Sequence, residues 1–500
     1  MIGNREEKCA FQILKQILKI LPDIPAGRKG GITIMKGNAK KLQQLKERLI
    51  LLPLVLINAV LHCFDGYIWR PYENLDAKRE LIEKIDDKEF RKELNEKKIQ
   101  DIFDSLRCQP EIKKINLAAI PDRIISFVCK TGTYLFKKGK VEKVMPEEEA
   151  KKFYHTWMNH AAYDESIAHG VAGNWEKREN YISEKCPAFF EYVLSIFGKE
   201  TAAALDSLFG MFGYLFSNLT GAKGGFFLIG APNSGKSTVL HLVEHILGAE
   251  NVSHISLEEL REKFSIAELA NKHVNICGEI SQKIFRGIET YKRLTGGDSV
   301  KGEFKGQALF EFVHSGRFLI AGNRLPDFGT DGADAMLERM YVLYFPTEVE
   351  PEKRDPNLLN RLLEEMDAIF TISMLYAAKM AENGFSFTTT EKTQEILKEY
   401  KSSFHIHEDF LESCCETGTG KEYKVYKKDL WTAYMDYCQE NGYKTELKQK
   451  SFYAAIARAE GVKSGKGRIN GGKSLALFMG LRLKVESLNG EDGQHDLENN

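Results

Sequence analysis

Apolar residues recur at helical spacing from the start of the chain. Cys9, Phe11, Ile13, Leu14, Ile17, Leu18 and Leu21 predict an amphipathic helix over 9–21, which Pro22 and the Pro25-Ala26-Gly27 turn end. Helical patterns continue over 39–61, and residues 77–106 mix both charges densely, as exposed helices do. Residues 1–115 are therefore expected to form a mostly helical N-terminal region. The longest apolar run, 49–64, is short for a membrane span and contains Pro53, Asn58 and His62. It reads as a buried helix broken at Pro53, not as a membrane segment.

The period changes after residue 116. Ile124-Ile125-Ser126-Phe127-Val128-Cys129, then Tyr134-Leu135-Phe136 between Gly132 and Gly139, predict short strands joined by turns. Helical spacing returns over 147–160 and 188–197, so 116–204 reads as an α+β domain. A nucleotide domain is placed at 205–346, with strands at 226–229, 274–277, 317–321 and 341–345 alternating with helical stretches at 239–247 and 283–294. A basic hairpin is expected over 300–312. That alternation predicts an α/β domain with a largely parallel sheet. Residues 347–419 read as a helical segment (358–382) followed by a linker at 405–420. Residues 420–485 carry two helices, 428–441 and 450–460, then glycine-rich strands, and the acidic tail 486–500 is expected to be disordered.

The stretch from Phe226 to Thr238 carries the sharpest chemistry. Four apolar residues precede Gly230-Ala231-Pro232-Asn233-Ser234-Gly235-Lys236-Ser237-Thr238, and an amphipathic run follows. This satisfies G-x-x-x-x-G-K-[ST] in the strand-then-helix setting that the pattern needs. Glycines let backbone N–H groups turn inward around phosphate oxygens, and the helix N-terminus adds positive potential. Lys236 can reach the β- and γ-phosphates, and the Ser237 hydroxyl can ligate Mg²⁺. The expected ligands are ATP and Mg²⁺.

Hydrolysis needs further groups: a carboxylate near the metal and the attacking water, a polar sensor, and a cation for the transition state. Glu279 follows an apolar strand, where such a carboxylate would lie near metal and water. A glutamate of the surface would read the same way. Gly278 stands where a second acid is expected, so Mg²⁺ would rest mainly on Ser237, phosphate oxygens and water. Asn323 ends the next long strand, as a sensor or as a turn asparagine. Arg339 precedes the last strand, on the rim, where it could serve a neighbouring subunit's nucleotide or make a surface ion pair.

Leu294-Thr295-Gly296-Gly297-Asp298, preceded by Lys292 and followed by Asn323-x-x-Pro326, Arg339 and Phe345, resembles the superfamily 3 helicases. The phage, plasmid and poxvirus primase-helicase group is the nearest likeness. The resemblance implies an AAA+-type core in a homohexameric ring around single-stranded or forked DNA. It gives Lys236 and Ser237 to phosphate and metal, Glu279 to the Walker B position, Asn323 to sensor 1 and Arg339 to a finger acting in trans. It also implies a pore hairpin with a DNA-tracking lysine; Lys301 and Lys305 occupy it, and Lys305, beside Phe304, is preferred. Glu338 stands where the family often has a second arginine. No primase half is visible, so a separate primase or other replication proteins would be partners.

Composition adds limits. The formal net charge of −1 over 500 residues excludes a global polyanion-binding signal, so a nucleic-acid surface must be local. One is suggested between Lys421 and Lys473, which holds twelve Lys and Arg against six Asp and Glu. Gly467-Arg468-Ile469-Asn470-Gly471-Gly472-Lys473-Ser474 repeats the phosphate-loop pattern there, but no buried strand precedes it. It reads as the wing of a winged helix touching duplex phosphates, with the second helix near a groove, or as part of a purely structural lid. The nine cysteines have no C-x-x-C pair, which fits a reducing compartment. Arg5-Glu6-Glu7-Lys8 is not a signal-peptide start. The expected setting is the cytoplasm of a bacterial host. The expected activity is ATP-dependent unwinding in replication of a phage or mobile element. The alternatives are an origin-binding initiator or regulatory ATPase, and a motor that moves DNA or protein without separating strands.

Overall fold

The computed structural model describes residues 37–58, 60–72, 74–85, 94–115, 124–145, 147–173, 175–281, 284–305, 309–314, 316–328, 333–443, 449–469 and 471–484. The helix expected over 9–21 and the tail from Glu486 lie outside them. The chain forms two compact units, Met1–Pro326 with Arg339–Glu391, and Asp327–Glu338 with Lys392–Asn500. Mixed helix and sheet in several domains is the α/β architecture expected. Among the described residues, no helix is long and apolar enough to cross a membrane.

Among the described residues the first part of unit one holds more helix than strand, but a sheet corrects the helical pattern expected over 39–61. Helix α1 (Gly37–Ile50) stops before Pro53, and the apolar run becomes strands β1 (Leu54–Ile57) and β2 (Val60–Phe64). These pair antiparallel through a turn at Asn58, which takes the left-handed φ of 48°. Both strands are buried along their whole length, so they lack the alternation that marks a half-buried strand. With β3 (Trp69–Pro71) and β4 (Lys113–Ile115) they form a sheet of order β3-β2-β1-β4. Helices α2 (Leu75–Ile85) and α3 (Glu96–Arg107) cover it, and Leu49, Leu81, Ile102 and Phe103 share its core. The Asn95 side chain caps α3 by accepting from Lys98 N at 3.0 Å.

The short strands expected here are β5 (Ser126–Cys129) and β6 (Gly132–Lys137), and with β7 (Lys140–Lys143) they form an antiparallel meander. The helix expected over 147–160 is only a 3₁₀ segment, Glu147–Phe153. Beyond it the Asn159 amide donates to Val128 O and Phe216 O, both at 2.9 Å, which ties an extended segment into the core. Four helices follow: α4 (Glu165–Gly173), α5 (Arg178–Lys185), α6 (Pro187–Phe197) and α7 (Thr201–Leu215).

The central sheet then assembles from β8 (Gly225–Gly230), β9 (Val252–Ser253), β10 (Val274–Cys277), β13 (Phe318–Gly322) and β14 (Met340–Phe345). Its order is β14-β8-β13-β10-β9 and every pairing is parallel. Helix α8 (Lys236–Leu247) follows β8, and α9 (Lys263–Glu268) and α10 (Ile288–Gly296) follow β9 and β10. Between α10 and β13 the hairpin β11 (Ser299–Gly302) and β12 (Phe310–Val313) stands as a separate ribbon. Helices α11 (Leu358–Glu364) and α12 (Met366–Asn383) return to the body.

The boundaries expected at 204/205 and 346/347 do not separate cores. One hydrophobic core runs through Phe127, Phe189, Phe212, Leu228, Leu319, Phe345 and Phe370. Helix α7 crosses the first boundary, and it is buried nearly all round, which hides it from a one-sided periodicity reading. Gly213 lets α12 approach, since a Cβ there would stand 2.5 Å from Ser373 O. Glu365, between α11 and α12, accepts from the N–H groups of Ala188 (2.7 Å) and Phe189 (3.0 Å) at the start of α6. Glu365→Ala is expected to cost about 1–3 kcal/mol, read as a lowered midpoint in thermal and urea unfolding. Glu365→Gln should recover part of the loss.

In unit two the expected linker at 405–420 is absent. Helix α13 (Glu391–Cys414) runs through it, burying Ile406 and Phe410 on one face. The segment contains neither glycine nor proline before Gly418, so nothing ends the helix earlier. Strand β15 (Cys415–Thr417) pairs with β19 (Leu481–Leu483). Strands β16 (Lys424–Tyr426), β17 (Lys463–Gly467) and β18 (Leu475–Met479) form a sheet of order β16-β18-β17. Helices α14 (Lys427–Glu440) and α15 (Gln449–Ile456) complete a core of Phe410, Tyr434, Phe452 and Phe478.

Candidate nucleotide site

Strand β8 is buried throughout and ends at Gly230, directly opposite Phe345. A Cβ at 230 would lie 2.4 Å from Phe345 O, so only glycine lets the strands close here. The loop then reverses through Asn233 (φ 58°) and Gly235 (φ 93°), and Lys236 opens α8. The Tyr192 hydroxyl of α6 donates to Gly235 O at 2.9 Å, and Val349 N donates to Asn233 O at 3.1 Å. Two distant segments thus fix the loop's shape.

Lys236 is folded onto its own loop. Its Nζ donates to Ala231 O (2.6 Å), Gly230 O (2.7 Å) and Ser234 Oγ (3.1 Å). Burial without a carboxylate partner holds the amine below the ordinary lysine pKa. An arriving anion would supply the missing negative charge. Beside the loop opens a cavity of about 450 Å³, lined by residues 233–238, by Tyr192 and Ser195, and by Val349, Leu358 and Arg361. Helix α11 packs on both α6 and α8, which brings Lys353, Arg354 and Arg361 to the cavity wall. Arg361 is held there by Asp355, with Nη2 and Nε at 2.8 and 3.1 Å, and lies 3.7 Å from Glu191. The sequence reading missed these cations, because the charged run from Glu348 to Arg354 looks like solvated surface. Only the return of α11 makes it a wall.

Strands β10 and β13 end at the same sheet edge as the loop. Gly322 pairs with Ile229, and Ile320 with Cys277. Asn323 and Glu279, both exposed, therefore leave the sheet one and two strands away from β8, at about 4.8 Å per strand. A Cβ at Gly278 would meet only Leu240 Cδ1 at 3.9 Å, so space is not why the expected second acid is missing. The residues fit a phosphate with its metal: a glycine-bounded cradle, a buried amine without a carboxylate, the Ser237 hydroxyl one residue on, and the Glu279 carboxylate across the edge.

Arg339 lies at the opposite edge. Its carbonyl accepts from Gly225 N at 3.0 Å, at the start of β8. Strand β14 must run from Met340 to Phe345 before it reaches Gly230, about 20 Å at 3.3 Å per residue. Arg339 is out of reach of its own subunit's loop. In the β11–β12 hairpin, Lys301 Nζ is 3.5 Å from Glu311 Oε1 across the strands, while Lys305 is exposed beyond Phe304, which stacks on Phe310 at 5.1 Å. Gly302, where β11 enters the hairpin loop, lies against α9, and a Cβ there would come 2.9 Å from Ala267 Cα. The second pattern match, 467–474, joins two antiparallel strands and opens no helix, so it is not a phosphate loop.

Residues 228–339, the loop through Arg339, match a family described as being of unknown function, DUF5906. Residues 408–470 match another. That family is described as poxvirus D5 protein-like. Among solved structures, an apo structure of the NrS-1 C-terminal region is 13% identical and covers 77% of this chain and 89% of that one, with a TM-score of 0.39. A second apo form of the same region is 12% identical over 71% of this chain and 96% of that one, with a TM-score of 0.35.

Proposed function

We propose that this chain is an ATP-dependent DNA helicase of superfamily 3 type, acting as a homohexameric ring in the replication of a phage or mobile element. The observation that carries the reading is the division of the candidate groups between two sheet edges. Lys236, Glu279 and Asn323 leave one edge from three neighbouring strands, while Arg339 leaves the other. The order β14-β8-β13-β10-β9 supports an AAA+-type core, and the poxvirus D5-like match supports a viral type of replication protein.

In this reading Lys236 swings from its loop carbonyls to the β- and γ-phosphates, and the loop N–H groups hold the phosphate oxygens. Mg²⁺, held by Ser237 with Glu279 nearby, would neutralise charge on those phosphates when bound. Glu279 orients the attacking water and takes its proton. Asn323 hydrogen-bonds the water or the γ-phosphate, and a neighbour's Arg339 stabilises the transition-state charge. Lys301 faces Glu311 across the strands, whereas Lys305 is exposed nearer the loop, which favours Lys305 as the hairpin cation for a DNA strand. An origin-binding ATPase without processive unwinding is the second reading, favoured by the cations of unit two.

The test is ATP hydrolysis with and without single-stranded DNA over a range of protein concentrations, alongside unwinding of forked duplexes. The expected result is stimulation that rises cooperatively with concentration. Lys305→Ala should keep hydrolysis and lose unwinding. Wild-type protein that unwinds no forked substrate would refute the helicase reading.

A further inference from the structure

We infer that the β17–β18 ribbon of unit two is a duplex-DNA phosphate clamp, with its tip fastened by Tyr426. The inference deepens the DNA-processing reading by giving unit two its own partner.

Residues 463–473 hold Lys463, Lys466, Arg468 and Lys473 and no carboxylate. All four are exposed. The β11–β12 hairpin differs, since there Glu311 faces Lys301 and Lys263 pairs with Glu303 at 2.6 Å. The ribbon also projects. Strand β16 pairs with β18 only from Leu477 to Met479, whereas β17 pairs on to Gly467 opposite Leu475. Among the described residues, no third strand pairs with these two beyond Leu477. A free two-stranded ribbon is a shape that the major groove admits.

The described residues on either side of Asn470 are tied to each other. The Tyr426 hydroxyl accepts from Ile469 N at 2.9 Å and donates to Lys473 O at 3.0 Å, joining the two arms. Gly472 N closes the turn on Ile469 O at 3.0 Å, and Gly471 takes the left-handed φ of 77° that the turn requires. Arg468 and Lys473 are thereby held on opposite arms of a narrow, glycine-bounded end, preorganised to meet phosphates. Residues 463–477 include no aromatic residue, Phe478 of β18 is buried, and the half-buried Tyr426 at the tip is held by both arms, which disfavours stacking of single-stranded bases. The second helix, α15, has eight residues and Lys450 as its cation. The ribbon, not that helix, therefore makes the main contact.

The test uses the full chain without nucleotide, so that it stands apart from hydrolysis. Binding of a blunt duplex is followed by fluorescence anisotropy across salt concentrations. Arg468→Ala/Lys473→Ala is expected to weaken duplex binding about tenfold and to reduce the slope of log affinity against log salt by about 2. Lys398→Ala/Lys401→Ala removes the same charge from exposed positions on α13 and should change neither quantity. Tyr426→Phe keeps every charge, yet should lower affinity and slope by freeing the arms. DNA-stimulated hydrolysis should survive in all three. Equal losses in the tip and α13 variants would reduce the effect to net charge and overturn the proposal. So would an unchanged duplex affinity in the tip variant, or a tip-dependent affinity seen only with anionic vesicles or single strands. Failure here would leave the hydrolysis reading standing, and lost hydrolysis with intact duplex binding would do the reverse.

Discussion

Lys236→Ala is expected to lower ATP hydrolysis about a thousandfold while leaving the fold intact. The amine serves no hydrophobic core. Its three partners are Gly230 O, Ala231 O and Ser234 Oγ, and the loop borders the cavity, where water can replace it. What alanine removes is the charge opposite the phosphates. Steady-state hydrolysis with a fluorescent-nucleotide titration checks this, and a rate within tenfold of wild type would move the hydrolytic site elsewhere. The depressed pKa adds a pH signature. Phosphate binding needs the protonated amine, so affinity is full below that pKa and falls as pH rises through it. The alkaline loss should begin at lower pH than an ordinary lysine would give.

Arg339→Ala is expected to cost hydrolysis about a thousandfold or more, the range found for an arginine that completes a site in trans. The sheet geometry makes this loss separable from that of Lys236. Arg339 precedes β14 at the edge away from Gly230, so no movement of its side chain alone brings it to its own loop. Mixing the two inactive variants is the decisive measurement. An Arg339→Ala subunit keeps an intact loop, and a Lys236→Ala neighbour offers an intact Arg339. Activity should return in part in the mixture. If the mixture stays as inactive as its components while both still assemble, Arg339 does not act across an interface. Thermal melting of each variant separates this result from unfolding, since Arg339 is half-buried and its carbonyl pairs with Gly225.

The features legible in the chain are those whose physics is local. The phosphate-loop spacing, the buried strand before it and the helix after it follow from glycine's freedom and from apolar runs, and the loop folds as that spacing requires. The β5 and β6 strands, the β11–β12 hairpin and the presence of glycine-rich strands after residue 460 follow in the same way from apolar runs and turn residues. Legibility failed where burial is complete. Residues 54–57 and 60–64 are strands read as helix, because a run buried on both faces has no period to display. The domain boundary at 205 failed for the same reason, since α7 is buried nearly all round, chiefly against α12, which is distant in sequence. The cavity wall was not legible at all: Tyr192 and Arg361 are separated from the loop by intervening elements, and only the contact of α6 with the loop and the packing of α11 on α6 and α8 gather them. The sequence by itself determined where a phosphate can be cradled, because that depends on backbone conformation within a few residues. Tertiary structure alone decided which cations face the cradle and that Arg339 does not, because those distances depend on strand order and register across the whole sheet.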